Sequence, residues 1–131
     1  MPMLEGIKAE NLRTAPARVL LVEDNVMVAM SAEEQLLEIG VEKVFVARSV
    51  AEAQAHCDSE QFDFALLDFD LGHETSIDVA ERLKRAEIPF AFASGFGALL
   101  DLPGDLHGSA VLTKPYLIED LEQALLRGLP S

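Results

Sequence analysis

The stretch VLLVEDNVMVAMSAEEQLLEIG, residues 19–40, contains the pattern that decides the fold. Its first four residues are apolar and β-branched or leucine, which is typical of a strand buried on both faces. Glu23, Asp24 and Asn25 end this run, and either Asn25 or Asp24 can serve as a helix N-cap. Gly40 is expected to end the helix that follows. The inward face of that helix is predicted from apolar residues three or four apart: Val28, Ala32, Leu36 and Ile39.

The same alternation of a short apolar run and a helical pattern continues along the chain. Further strands are predicted at 43–47, 62–67, 89–93 and 110–113. Further helices are predicted at 49–59, 76–87 and 117–127, the first of them opened by a capping box of Ser49 and Glu52. Alternation of this kind predicts a doubly wound, five-stranded parallel sheet with helices on both faces, a three-layer α/β/α sandwich.

The segment between the fourth and fifth predicted strands, residues 95–109, departs from this pattern. A fourth helix is expected there, but its glycines and proline leave room for only a turn or two around residues 98–102. We therefore predict a short, irregular or mobile segment in place of a regular fourth helix.

Length and composition set further bounds. A chain of 131 residues is expected to form one domain, which we place at residues 17–129 behind an N-terminal extension at 1–16. Acidic residues outnumber basic ones 23 to 10, and the net charge of −13 disfavours direct binding to nucleic acid or to anionic membranes. A single cysteine, Cys57, and the lack of a signal-peptide or membrane-span pattern indicate a cytoplasmic protein.

Polar residues stand where four of the predicted strands end. Glu23 and Asp24 follow the first strand, Asp68 the third, Ser94 the fourth and Lys114 the fifth. The carboxyl ends of parallel strands share one edge of a sheet, about 4.8 Å from strand to strand, and ligands bind there. Three carboxylates crowded together need a positive partner, and carboxylate oxygens suit Mg²⁺.

These groups are the ones that phosphoryl transfer requires. A carboxylate can attack phosphorus while a metal ion and a lysine neutralise its oxygens and a hydroxyl steadies the product. Asp68 is the best nucleophile candidate because it follows the most apolar run, 64–67. A single Asp at a strand end is usually a helix cap or a turn former, but four such groups at four matching strand ends favour a functional site.

The motifs at these positions resemble the receiver domain of two-component response regulators, which has the flavodoxin-like fold of CheY. The resemblance covers residues 17–128 and rests on four motifs in the family's order: VLLVEDN (19–25), LLDFDLG (66–72), ASG (93–95) and TKPY (113–116).

The resemblance implies a phosphorelay function. Asp68 would accept a phosphoryl group from a phosphohistidine on a sensor histidine kinase or a histidine phosphotransfer protein. Asp24 and Asp68 would bind Mg²⁺ directly, Glu23 would act through water, and the backbone carbonyl of Asp70 would complete the metal site. Such a domain catalyses only its own phosphorylation and dephosphorylation and is not otherwise an enzyme.

The resemblance also assigns the two remaining residues. Ser94 would hydrogen-bond the phosphoryl group, and Lys114 would pair with it, aimed by a cis peptide bond to Pro115. The family commonly has an aromatic switch residue three positions before the lysine, where this chain has Val111. The stretch FASGFG, residues 92–97, resembles the FATG-type motif of a subset of single-domain receivers without that switch.

The output is expected to pass through protein contacts. The sequence stops at Ser131, directly after the last predicted helix, so we expect a single-domain regulator that docks to a downstream protein. Val26, Met27 and Met30 lie outside the core stripe of the first helix and are either a docking face or spare surface residues. Receivers often form homodimers through the fourth helix and its neighbours, which makes a homodimer an alternative assembly.

Two rival functions remain open at this point. The D-x-D spacing of Asp68 and Asp70 resembles that of small haloacid-dehalogenase-like phosphatases, but in those enzymes the motif follows the first strand. The second rival is a receiver fold that works by constitutive binding. All the acceptor-site residues are present, which disfavours it.

Overall fold

The structure, a computed structural model, describes residues 15–96 and 100–127. Five strands and four α-helices alternate along these residues. The strands are β1 (Arg18–Val22), β2 (Lys43–Ala47), β3 (Phe64–Asp68), β4 (Phe90–Ser94) and β5 (Ala110–Thr113). The helices are α1 (Val26–Ile39), α2 (Val50–Ser59), α3 (Ile77–Arg85) and α4 (Ile118–Arg127). Among these helices, none is both long enough and apolar enough to cross a membrane.

The strands form one parallel sheet with the order β2-β1-β3-β4-β5. The doubly wound parallel sheet predicted from the sequence is thereby confirmed. β1 and β3 are neighbours in register, with Val22 beside Leu67, and the chain winds outward in opposite directions from them. A crevice therefore forms at the carboxyl ends of β1 and β3, where ligands bind in sheets of this kind.

The core consists of two apolar layers, one on each face of the sheet. Alternate residues of each strand point to opposite faces, so Val19 and Leu21 join one layer while Leu20 and Val22 join the other. Helices α1 and α4 cover the first layer with buried residues that include Ala32, Leu36, Leu121 and Leu125. Helices α2 and α3 cover the second with Ala53, Val79, Ala80 and Leu83.

Specific side chains fix where the first two helices begin. Asn25, rather than Asp24, is the N-cap of α1, and its Oδ1 accepts a hydrogen bond from the Val28 N–H at 3.0 Å. Ser49 caps α2 as predicted, with Oγ accepting from the Glu52 N–H at 3.1 Å. These caps set the two helices directly after the strands that carry them.

The predicted inward face of α1 is wrong at one position. Val28 is 38% exposed, and Ala29 takes its place in the buried row with Ala32 and Leu36. The small Ala29 side chain lets the helix lie close to the sheet, while Val28 turns toward a groove that Tyr116 also lines. A 3.6-residue period accommodates either neighbour, so packing decides between them.

Helix α3 is shorter than predicted and ends at Arg85 instead of residue 87. Glu87 takes a left-handed backbone conformation with φ 61°, and the Ile88 N–H turns back to the Leu83 carbonyl at 2.9 Å. This reversal leads the chain directly into β4. β3 likewise begins at Phe64, two residues later than predicted.

The connection from β4 to β5 is irregular in its described part, as predicted. It contains a single 3₁₀ turn at Gly104–Leu106, while residues 100–103 are not helical. Residues 98 and 99 of the turn predicted at 98–102 lie outside the described ones, and residues 100–102 are not helical. Buried Leu102 and Leu106 attach this segment to the layer under α2 and α3.

Candidate functional site

The five residues predicted at the strand ends meet at the carboxyl edge of the sheet. Glu23 and Asp24 follow β1, Asp68 ends β3, Ser94 ends β4 and Lys114 follows β5. A cavity of about 480 Å³ at this edge is lined by Asp24, Asp68, Asp70, Gly72, Ser94, Gly95, Phe96 and Lys114. A larger depression, about 780 Å³, lies at the opposite end of the sheet but has no comparable carboxylate cluster in its lining.

Three carboxylates form a compact acidic cluster. Glu23, Asp24 and Asp68 each offer an oxygen atom, and these atoms all lie within 4.8 Å of one another. Glu23 and Asp68 are buried, whereas Asp24 is exposed to solvent. Carboxylate oxygens converging from several sides are the hard donors that Mg²⁺ prefers, so this cluster fits a divalent cation with an approach from solvent.

Lys114 supplies positive charge to the same cluster. Its Nζ donates to Asp68 Oδ1 at 2.9 Å and to Glu23 Oε1 at 3.3 Å. Burial alone would lower the pKa of Lys114, but its hydrogen bond with Asp68 and the charges of Asp68 and Glu23 raise that pKa on balance. The ammonium group therefore stays charged. The peptide bond from Lys114 to Pro115 is cis, as the resemblance implied.

Glu23 has an unusual protonation equilibrium. Burial, the largest cause, raises its pKa from 4.5 to about 7, and the negative charge of Asp68 adds to this effect. The Asn25 backbone N–H and the charge of Lys114 act in the opposite direction. Without a metal ion, Glu23 thus titrates close to neutral pH.

Ser94 lines the same cavity and is 5% exposed. Its Oγ accepts a hydrogen bond from the Phe96 N–H at 3.0 Å. Because this bond uses a lone pair, the hydroxyl hydrogen can donate to an anionic oxygen in the cavity. The Phe96 side chain, which is 67% exposed, stands at the rim of this cavity.

The loop after β3 closes another side of the cavity. The Gly72 N–H donates to Asp70 Oδ1 at 3.1 Å, and the Leu71 N–H donates to the Glu74 carbonyl at 2.9 Å. Gly72 has φ 87°, and a Cβ atom there would lie 3.7 Å from Asp24 Oδ2. A glycine thus suits both the backbone conformation and the close approach to the acidic cluster.

Sequence reasoning missed the contribution that the Asn25 backbone makes to the site. Its N–H donates to Glu23 Oε2 at 3.2 Å and so holds the second oxygen of that carboxylate. The sequence signalled Asn25 only as a helix cap. A main-chain donor is common to every residue type except proline, so no pattern of side chains indicates where it points.

Comparisons with known proteins identify the family of this chain. A family model described as the response regulator receiver domain matches residues 19–126. Transcriptional regulatory protein PdtaR of Mycobacterium tuberculosis, in strains CDC 1551 and H37Rv, is 30% identical over 113 residues. The alignment covers 84% of this chain and 55% of PdtaR, so the chain spans about half the length of the curated relatives it matches.

Solved structures show the same fold. SdrG from Sphingomonas melonis Fr1 has a TM-score of 0.72 and 33% identity, over 86% of this chain and 94% of that one. The response regulator PhyR from Brucella abortus has a TM-score of 0.75 and 26% identity, over 96% and 53%. A CheY-like receiver domain from Methylobacillus flagellatus, at 23% identity and a TM-score of 0.71 over 82% and 94%, agrees in fold.

These matches do not favour the phosphatase alternative, because they identify a receiver domain. In addition, Asp68 and Asp70 lie at the end of β3 in this chain and not after the first strand. A receiver is a signalling domain, and receivers interact with the kinases that donate their phosphoryl groups. The motifs, the sheet order and the family match lead to one conclusion: the chain belongs to the response regulator receiver domain family.

Proposed function

We propose that Asp68 accepts a phosphoryl group from a phosphohistidine on a sensor histidine kinase or a histidine phosphotransfer protein. The observation that carries this proposal is the position of the Asp68 carboxylate. Asp68 ends the central strand, β3, and its side chain lines the cavity. Asp68 Oδ1 lies 2.9 Å from Lys114 Nζ, and the carboxylates of Glu23 and Asp24 are close by.

The transfer exchanges one bond to phosphorus for another. An Asp68 carboxylate oxygen forms a bond to phosphorus as the bond from phosphorus to the donor's imidazole nitrogen breaks. The electron pair of that bond stays on the imidazole, which takes up a proton from solvent. Lys114 neutralises charge on the phosphoryl oxygens, and the Ser94 hydroxyl donates a hydrogen bond to one of them.

Mg²⁺ is the cofactor that the acidic cluster would hold. Glu23, Asp24 and Asp68 would bind it, directly or through water, together with the backbone carbonyl of Asp70. Support comes from the 4.8 Å spread of the carboxylate oxygens and from the place of Asp70 in the cavity lining. When bound, the ion supplies positive charge next to the phosphoryl oxygens.

The signal would leave the domain through a shift between two conformations. The phosphoryl group adds a charge of about −1.5 to −2, and its bonds to Ser94 and Lys114 stabilise the conformation in which all of them form. Helix α1 supports docking of a protein partner, because Val26, Met27 and Met30 are all exposed, Met27 to 75%. Flexible methionine side chains adapt to an apolar partner surface.

The test is the intact mass of the protein after incubation with acetyl phosphate, with and without Mg²⁺. We expect a gain of one phosphoryl group that requires Mg²⁺ and is lost in Asp68→Asn. Asp78→Asn is the control, since it removes an exposed acidic side chain on α3, outside the cavity lining, and leaves the acceptor. No gain in the wild-type protein would refute the phosphoacceptor function, and continued hydrolysis of a phosphomonoester would favour the phosphatase alternative.

A further inference from the structure

Asn25 connects the first turn of α1 to the acidic cluster. Its side chain accepts the Val28 N–H at 3.0 Å, and its carbonyl accepts the Ala29 N–H at 2.9 Å. Its own N–H points the other way and donates to Glu23 Oε2 at 3.2 Å. One residue thus closes the start of the helix and also holds a carboxylate of the cluster.

The Glu23 carboxylate depends on this contact for its direction. The main chain of Glu23 is fixed at the carboxyl edge of the sheet, where the Glu23 N–H donates to the Ala47 carbonyl at 2.9 Å. Its side chain is held by two donors from different elements, Lys114 Nζ at Oε1 and the Asn25 N–H at Oε2. If the Asn25 peptide turns, the carboxylate keeps only the longer of the two Lys114 contacts, 3.3 Å against 2.9 Å for Asp68.

The side chain of Asn25 stabilises the orientation of that peptide. Asn25 has φ −86° and ψ 120°, the extended conformation of an N-cap residue, and its bond to Val28 favours this conformation. Alanine at this position has no side-chain acceptor. The first turn of α1 would then fray, and the direction of the Asn25 N–H would vary.

We propose that Asn25 is a positioning residue for the metal: its side-chain cap fixes the peptide whose N–H holds Glu23 turned into the acidic cluster. Asn25 itself would not contact the metal ion. It acts as the groups behind metal ligands do elsewhere, by restricting the ligand to its binding orientation. The inference rests on the proposed Mg²⁺ site and adds to it a structural link between that site and α1.

The experiment is an NMR titration with Mg²⁺ that follows backbone amide shifts in four proteins: wild type, Asn25→Ala, Asn25→Ser and Ser49→Ala. Serine keeps an N-cap acceptor, so Asn25→Ser tests rescue. Ser49→Ala removes the same kind of cap from α2, where Ser49 Oγ bonds the Glu52 N–H and, among the described residues, no member of the acidic cluster. Thermal unfolding of the metal-free proteins measures the cost of each lost cap.

We expect both alanine variants to lower the unfolding midpoint by roughly 3–6 °C. Only Asn25→Ala should weaken Mg²⁺ binding, by about tenfold, the lower end of the effect of removing a group that orients a metal ligand. Asn25→Ser should bind Mg²⁺ nearly as the wild type does.

Three results would overturn the proposal, and they are distinguishable. Unchanged Mg²⁺ affinity in Asn25→Ala would show that the cap is structural only. Equal weakening in Asn25→Ala and Ser49→Ala would show a general effect of destabilisation. Failure of the wild-type protein to bind Mg²⁺ would refute the proposed metal site itself.

Discussion

Lys114 offsets the electrostatic cost of burying two carboxylates. Asp68 and Glu23 are 6% and 4% exposed, and Lys114 Nζ contacts both of them. Buried charges without a partner are strongly destabilising, whereas a buried charge with a partner costs far less. In the metal-free protein, Lys114 thus provides part of the positive charge that a bound cation would otherwise bring.

Replacing Lys114 should therefore affect stability as well as phosphorylation. We expect Lys114→Ala to lower the free energy of unfolding by about 1–3 kcal/mol in metal-free buffer, because two buried acidic groups lose a donor. Added Mg²⁺ should restore part of this loss by binding only the folded state. Urea unfolding with and without Mg²⁺ measures both effects.

Lys84→Ala is the control for this experiment, since Lys84 is exposed on α3 and lines the depression at the opposite end of the sheet from the acidic cluster. It should change stability by less than about 0.5 kcal/mol. If Lys114→Ala were as stable as Lys84→Ala, the proposed electrostatic role of Lys114 would be wrong.

Glu23 gives the metal-free protein a pH dependence with a definite sign. Its pKa is about 7 in the folded protein against an ordinary value of 4.5, so the folded state binds the proton more tightly than the unfolded state does. This group favours folding below pH 4.5, and that contribution is lost as pH rises to about 7. The full effect is about 1–3 kcal/mol.

Glu23→Gln should remove this dependence. Glutamine carries no ionisable proton yet can still accept the Asn25 N–H. We expect the variant to match the wild type near pH 4.5 and to exceed it by about 1–2 kcal/mol at pH 8 without metal. Urea unfolding at the two pH values measures this difference. If Glu23→Gln changed the free energy of unfolding equally at both pH values, Glu23 would not titrate in this range.

The loop between β3 and α3 carries the candidate metal carbonyl and is tied to its surroundings at several points. Asp70 forms an isolated antiparallel bridge with Thr75 and accepts the Gly72 N–H. Glu74 Oε2 accepts the Val50 N–H at 3.0 Å, which links the loop to the start of α2. These bonds keep the loop close to Asp24 and give the cavity a fixed wall.

Gly72→Ala tests how strictly the loop backbone is required. Residues with a side chain rarely adopt φ 87°, so we expect a loss of about 1–2 kcal/mol in stability, together with weaker Mg²⁺ binding as the loop shifts away from Asp24. Gly108→Ala is the matched control, because Gly108 has φ 90° and nothing within 4 Å of an added Cβ atom. Equal changes of Mg²⁺ affinity in the two variants would show that the Gly72 backbone has no specific role at the metal site.

Most elements were predictable because local signals agreed with tertiary packing. Helix α1 ends at Ile39 as predicted, and the strands β2 and β5 have their predicted bounds. Cap residues or glycines lie close to the ends of these three patterns. Two features were not predictable: the burial of Ala29 instead of Val28 on α1, and the early end of α3 at Arg85. Helix packing and a left-handed Glu87 decide them, and neither leaves a sequence pattern.

The candidate site was predictable for a topological reason. In a parallel sheet, residues that end neighbouring strands meet at one edge, so Asp24, Asp68, Ser94 and Lys114 came together as expected. The backbone donor of Asn25 and the hydrogen bond from Phe96 to Ser94 were not.

The molecule as a whole carries a strong excess of negative charge. The net charge of −13 makes like-charge repulsion a general cost of folding, with acidic groups close together on exposed helix faces. Glu34 and Glu38, both exposed, lie four residues apart on α1, a spacing at which like charges repel. Any phosphorylated state would add further negative charge to this surface.

Stability should accordingly rise with ionic strength. Between about 0.02 M and about 0.3 M NaCl we expect the free energy of unfolding to increase by about 1 kcal/mol, since salt screens exposed charges. At low salt, the Glu34→Gln/Glu38→Gln variant should have a higher free energy of unfolding than the wild type. NaCl should raise that free energy by less than it does in the wild type. Urea unfolding at the two salt concentrations measures this, and a fall in stability with NaCl would contradict it.

In the proposed function, the carboxylate at the end of β3 carries the phosphoryl group. The most direct test is to phosphorylate the protein with acetyl phosphate and Mg²⁺, reduce the acyl phosphate with borohydride, and locate the modified residue by tandem mass spectrometry. We expect conversion of Asp68, and of no other acidic residue, to homoserine. Modification at Asp24 or Asp70, or an unmodified Asp68, would contradict it.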